Sequence, residues 1–143
     1  MDIRVVSESI FDIESDCILY FVDNAFSNDD TMEIISKAGN RLLDVFSKLS
    51  SLATGEFKIV PAFNLKSTYV VIVSIPQKID TEEDEKFLEE IFLDILRGIN
   101  NRRFNTVAVD ITRLSNSYSF KHSEIFKKFL RSINDDIVVF MCK

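Results

Sequence analysis

Glycine, proline, cysteine, histidine and tryptophan are all scarce in this 143-residue chain, which holds 3 Gly, 2 Pro, 2 Cys, 1 His and no Trp. So few glycines and prolines leave no linker-like or low-complexity stretch, and no internal repeat is visible, so a single domain over residues 1–143 is expected. Cys17 and Cys142 both fall in apolar runs, where a free thiol acts as a small hydrophobe, and a disulfide framework is excluded. The lone His122 has no Cys, His or Asp cluster around it at metal-ligand spacing, which argues against a metal site and for a surface position at a helix start. No apolar run reaches the roughly 18 residues that a bilayer span needs, and no charged start followed by an apolar block marks a signal peptide. No membrane contact and a cytoplasmic location are the expectation.

What is present is apolar content and acid. At 46% hydrophobic the chain can bury a real core, and its 13 Phe read as core filling. The formal net charge is -6, and Asp80 to Asp94 carries eight acids with only Lys86 among them. That balance opposes binding to a phosphate backbone over the general surface, so nucleic acid is not an expected partner. Lys121, Lys127, Lys128 and Arg131 read as the wet side of an amphipathic helix.

Ile3 to Val6 and "CILYFV" at Cys17 to Val22 predict two strands, the second suited to burial on both faces. After "DNAFSNDD", Thr31 is expected to cap one helix with apolar positions at Ile35, Ala38, Leu42, Val45 or Phe46, and Leu49. Strands follow at Phe57 to Ala62 and Tyr69 to Ile75, the latter closed by Pro76. Thr81 opens an acidic-ended helix whose predicted buried stripe is Phe87, Leu88, Ile91, Phe92, Ile95 and Ile99. Thr106 to Ile111, Ser123 to Ile133 and Ile137 to Met141 complete the series as strand, helix and strand. Strands alternating with helices predict an α/β class, a three-layer α/β/α domain on a mixed, mostly parallel sheet of about six strands, with Cys17 to Val22, Tyr69 to Ile75 and Thr106 to Ile111 central.

The stretch "ATGEFKIVPAFNLKSTYVVIVSIP" adds a family likeness to this order of elements. Asp16, Cys17, Ile18 and Leu19 in the first long strand, "SKAG" at Ser36 to Gly39 as a helix end, the Thr54-Gly55-Glu56 turn and the Asn64-Leu65 turn together resemble the macro domain family over nearly the whole chain. The matched residues are scaffold: Thr54 and Gly55 shape a turn, and Asn64 is a common turn former.

The resemblance implies an ADP-ribose crevice above the carboxyl ends of the central strands, between the loops Asp23 to Asp30 and Arg113 to Phe120. Carried over residue by residue, the family's adenine-contacting acid falls on Ser9, its distal-ribose asparagine on or beside Tyr20, and its next asparagine on Asp23. Each departs from the pattern. The first glycine-rich loop is replaced by a glycine-free stretch bearing Asp23, Asp29 and Asp30, which opposes a diphosphate both sterically and electrostatically. The second falls on Leu114 to Tyr118, also without glycine, where Ser115, Asn116, Ser117 and Tyr118 beside Arg113 offer donors and a ring. An anionic ligand is therefore expected on the second loop, held by the Arg113 fork beside Ser115 and Ser117. Asp110, at a strand end, is a candidate general base whose partner sequence does not locate.

Two function classes follow. The leading one is a degenerate macro-like domain without ADP-ribosyl hydrolase activity, holding a nucleotide-like or other small ligand in a reshaped crevice. The alternative is a protein-interaction module on an inert macro frame. No cofactor or metal is expected, and the balance leans away from an enzyme.

Overall fold

Every residue of Cys17–Val22 is buried, and a strand with neither face wet requires packed layers on both sides. The computed structural model describes residues 2–76, 79–110, 112, 113, 120–131 and 136–142. These form strands β1 (Asp2–Val6), β2 (Cys17–Val22), β3 (Phe57–Pro61), β4 (Tyr69–Ser74), β5 (Thr106–Val109) and β6 (Val138–Cys142). The helices are α1 (Asp29–Ala38), α2 (Asn40–Leu49), α3 (Glu82–Asn101) and α4 (Phe120–Arg131). The sheet order is β1-β6-β5-β2-β4-β3, parallel throughout except for β3, which runs antiparallel to β4. The three runs expected to be central each have a strand on both sides, and the three-layer α/β/α architecture is as expected.

Alternation along the strands divides the interior in two. Leu19, Phe21, Val71 and Val73 face α3 and α4 with Leu88, Phe92, Ile95 and Phe126. Ile18, Tyr20, Val70 and Ile72 face the other layer, where Ile34, Leu42 and Phe46 come from α1 and α2 and Ile10 and Phe11 from the segment after β1. Both cysteines are buried and free, one in each core. Among the described residues, no helix is long and apolar enough to cross a membrane.

Three expectations need correction. The single helix after the first loop is two helices, because Gly39 takes φ 100°, a left-handed conformation that ends α1. The break also admits Asn64, whose N–H donates to the Ala38 carbonyl at 3.2 Å. The cap of α1 is Asn28, not Thr31: the Thr31 N–H donates to Asn28 Oδ1 at 2.8 Å, while Asp29 and Asp30 are the first helical residues, where the helix dipole favours acid. Phe87 lies outside the buried stripe of α3, with 41% of its surface exposed, because it covers the Gly55 turn: a Cβ on Gly55 would come within 3.0 Å of its ring.

Thr81 does open α3 with a capping box, its side chain accepting from Asp84 N–H while the Asp84 carboxylate accepts from Thr81 N–H. Strand ends differ from expectation by one or two residues. Ile111 and Ile133, the predicted ends of a strand and a helix, lie outside the described residues, as do Leu114 to Ser119.

Candidate functional site

The carboxyl ends of neighbouring parallel strands leave a crevice where the chain departs in different directions. Here β2 leads through Asp23 into α1, while β5 leads through Asp110 into the turn holding Thr112 and Arg113. The side chain of Arg113 spans the gap. Its Nη1 donates to Glu33 Oε2 at 2.8 Å and its Nη2 to Glu33 Oε1 at 3.0 Å, a two-pronged pairing. Nη1 also reaches Asp30 Oδ1 at 3.0 Å, and Nε donates to Asp110 Oδ2 at 3.2 Å.

Asp30 and Glu33 lie one turn apart on α1 and so share a face. The guanidinium sits 4.9 Å from the Phe11 ring centre and 5.7 Å from that of Tyr20, a stack that suits a delocalised cation. Only 21% of the Arg113 side chain is exposed. Hydrogen bonding from Arg113, working against burial, holds the Glu33 carboxyl below its ordinary range. Bonding to Glu33 in turn raises Arg113 further above neutrality. Glu33 and Arg113 are thus held as an ion pair, with the Asp30 and Asp110 side chains on the same guanidinium.

Among the described residues, Tyr20 and Arg113 are the two sequence-predicted site residues that the fold brings together. Tyr20 is buried, donates its hydroxyl to the Asp30 carbonyl at 2.6 Å and accepts from Arg113 Nη1 at 3.4 Å. Burial pushes its ionisation up, with Arg113 partly opposing, so it is a neutral phenol. Asp23 is turned onto its own loop. It accepts from the Ser27 N–H at 2.8 Å, the Ser27 hydroxyl at 2.9 Å, the Asn28 N–H at 3.1 Å and the Thr31 hydroxyl at 3.2 Å. Burial opposes the charge, but these bonds outweigh it and keep the carboxyl low.

Ser9 begins the turn after β1, its hydroxyl accepting from Phe11 N–H at 3.2 Å and its carbonyl from Asp12 and Ile13 N–H. Ser115, Asn116, Ser117 and Tyr118 lie outside the described residues. The Thr-Gly-Glu turn joins the first loop: Ser74 Oγ donates to Asn24 Oδ1 at 2.8 Å and Asn24 Nδ2 to Thr54 Oγ1 at 3.1 Å.

Sequence reasoning missed Glu33 and Phe11 altogether and read Asp30 only as a repellent of anions. The available signal was the spacing of Asp30 and Glu33 on a helix whose acid stripe needs a cation. Asp110, whose partner sequence did not locate, is bonded to Arg113 and Thr112. Burial, with Asp110 and Glu8 adding to it, pushes the nearby Cys142 thiol up to about 11, far from a thiolate nucleophile at neutral pH. Among the described residues no buried side-chain nitrogen or oxygen lacks a partner, and no group of three His, Cys, Asp or Glu side chains is placed to hold a metal ion.

A family model described as the macro domain matches residues 31–111. Curated protein sequences yield no match. Among solved structures, the macro domain of ganglioside induced differentiation associated protein 2 superposes with a TM-score of 0.80 at 18% identity, covering 99% of this chain and 77% of that one. The Trypanosoma brucei macrodomain in complex with ADP-ribose gives 0.78 at 17% identity, with 98% of this chain and 63% of that one covered. The Oceanobacillus iheyensis macrodomain with ADP gives 0.82 at 17% identity over 96% and 81%.

Proposed function

The chain belongs to the macro domain family, and we propose that it is a member whose crevice is occupied by its own side chains, serving as an interaction module and not as an ADP-ribosyl hydrolase. One observation carries this reading: the Arg113 guanidinium, just past the end of β5, is committed to Glu33, Asp30 and Asp110. A diphosphate approaching here meets three carboxylates against one cation, in surroundings where like charges interact more strongly than in water. Asp23, bonded to Ser27, Asn28 and Thr31, stiffens the first loop in a form that offers side chains and no bare glycine backbone.

Catalysis needs polar groups aimed at developing charge and free to act there. Tyr20 donates to the Asp30 carbonyl and stays neutral; Asp110 is engaged by Arg113 and Thr112. Purified protein incubated with an ADP-ribosylated acceptor protein should release no ADP-ribose above background. Turnover that disappears in Asp110→Asn or Tyr20→Phe would overturn the reading.

A second reading, a nucleotide-like ligand in the reshaped crevice, is favoured by the T. brucei and O. iheyensis macrodomains solved with ADP-ribose and ADP. On that reading the ligand contacts Ser9, Tyr20, Asp23 and Arg113, with Ser115, Asn116, Ser117 and Tyr118, and must first displace the Arg113 pairings.

A further inference from the structure

Among the described residues β1 pairs with β6 alone, and no described strand lies along its other edge. The Asp2 N–H donates to the Ile137 carbonyl at 2.9 Å, so it points toward β6. Alternation along the strand then turns the N–H and C=O groups of Ile3 and Val5 outward. An open edge of this kind is a template for another extended chain.

The two faces beside that edge differ in chemistry. On one, Ile3 and Val5 stand 43% and 64% exposed. On the other lies a groove of about 390 Å³ with Val6, Ile13 and Phe140 as floor and Glu8, Asp12, Glu14 and Lys66 at its rim. Three carboxylates face one ammonium there, while the nearby Asp2 and Arg4 neutralise each other at 2.8 Å.

Resting on the interaction-module reading, we infer that the β1 edge accepts an extended peptide of alternating apolar and basic residues, which pairs with the outward groups of Ile3 and Val5. The strand period of two sends alternate side chains to opposite faces. Apolar side chains then cover Ile3 and Val5. Lys or Arg side chains lay their stems on Val6 and Phe140 and carry their charges to Glu8, Asp12 and Glu14. A second copy of this chain fits less well, since each copy carries a net charge of -6 and the groove rim is acidic in both.

The test is fluorescence anisotropy with a labelled Val/Lys alternating peptide of about nine residues, long enough to overrun a five-residue strand. A peptide of the same composition with its valines and lysines in separate blocks controls for charge attraction. The alternating peptide should bind, and the block peptide should bind at least about tenfold more weakly. Val5→Pro removes an outward N–H that the ladder does not use, and it should weaken the alternating peptide by a similar factor with the melting transition retained. If Val5→Pro does not fold, Glu8→Lys with Asp12→Lys decides by the same criterion.

Equal binding of the two peptides, or an unchanged affinity in the deciding variant, overturns the inference. So does a dimer of the unliganded chain in sedimentation that the deciding variant breaks. An ADP-ribose titration in the same series separates the two readings: binding there with the peptide results intact defeats the closed crevice alone, and peptide failure without ADP-ribose binding defeats this inference alone.

Discussion

Replacing Arg113 by alanine removes the cation that pairs with Asp30, Glu33 and Asp110. The cost follows from how wet each partner is: the Asp110 side chain is 11% exposed, Arg113 21%, Asp30 24% and Glu33 43%. Breaking a fully buried pair from one side costs about 3–5 kcal/mol and an exposed pair contributes about 0–1 kcal/mol, so this cluster lies between, at about 2–3 kcal/mol. Loss of the guanidinium stack on Phe11 acts in the same direction. For a chain of this size the melting temperature should fall by about 6–12 °C at pH 7.

The sign with pH is set by Glu33, whose carboxyl Arg113 holds low. Stability from a depressed carboxyl is present above its unfolded value of about 4.3 and is lost as pH falls through the folded one. The gap between wild type and Arg113→Ala should therefore narrow on acidification below about pH 4, as the carboxylates in the variant also lose their mutual repulsion. Circular dichroism melts from pH 7 to pH 3 measure this. A difference under about 2 °C at pH 7, or a gap that stays constant to about pH 3, refutes the reasoning.

Gly39→Ala should destabilise by about 1–2 kcal/mol in urea titration, the usual cost of forcing a side chain into a left-handed conformation. A Cβ there would also lie 2.7 Å from Asn64 Nδ2, so stability equal to wild type would mean that the helix break is wrongly placed. Burial, with Asp16 adding to it, pushes the Cys17 thiol up to about 12, and Cys142 is likewise raised, to about 11. A chromogenic disulfide reagent at pH 8 should therefore label neither in the native protein and both in denaturant, and fast native labelling of Cys142 would contradict its burial in the core.

The sheet was legible because its signals are local. β2 has the predicted bounds, since six consecutive apolar residues admit only a strand buried on both faces or a short helix, and the flanking acids limit its length. Thr81 announced α3 through the acid three positions later. The break at Gly39 was hidden because Leu42 and Phe46 continue the apolar stripe of Ile34 and Ala38 across it. The helix ends at the positive φ of Gly39, and the Asn64 N–H from a distant turn takes up the Ala38 carbonyl left there. Arg113 illustrates the same limit at the site: its partners Asp30 and Glu33 come from a helix near the other end of the chain, and nothing in the local sequence of either segment names the other. The departures expected at Ser9, Tyr20 and Asp23 come from the resemblance, whereas the bonding of Tyr20 to Arg113 and of Asp23 to Ser27 and Asn28 is tertiary or loop structure that only the fold displays.

The central claim is that the crevice is occupied by its own ion pairs and does not take the family's nucleotide. Isothermal titration calorimetry of ADP-ribose into the wild-type protein at pH 7 and low salt tests it directly. The account predicts no saturable heat up to ligand concentrations on the order of 1 mM. One-to-one binding that saturates below that concentration, and that is weakened in Arg113→Ala, would contradict it, because it would mean that the guanidinium leaves Glu33 and Asp30 to hold a phosphate.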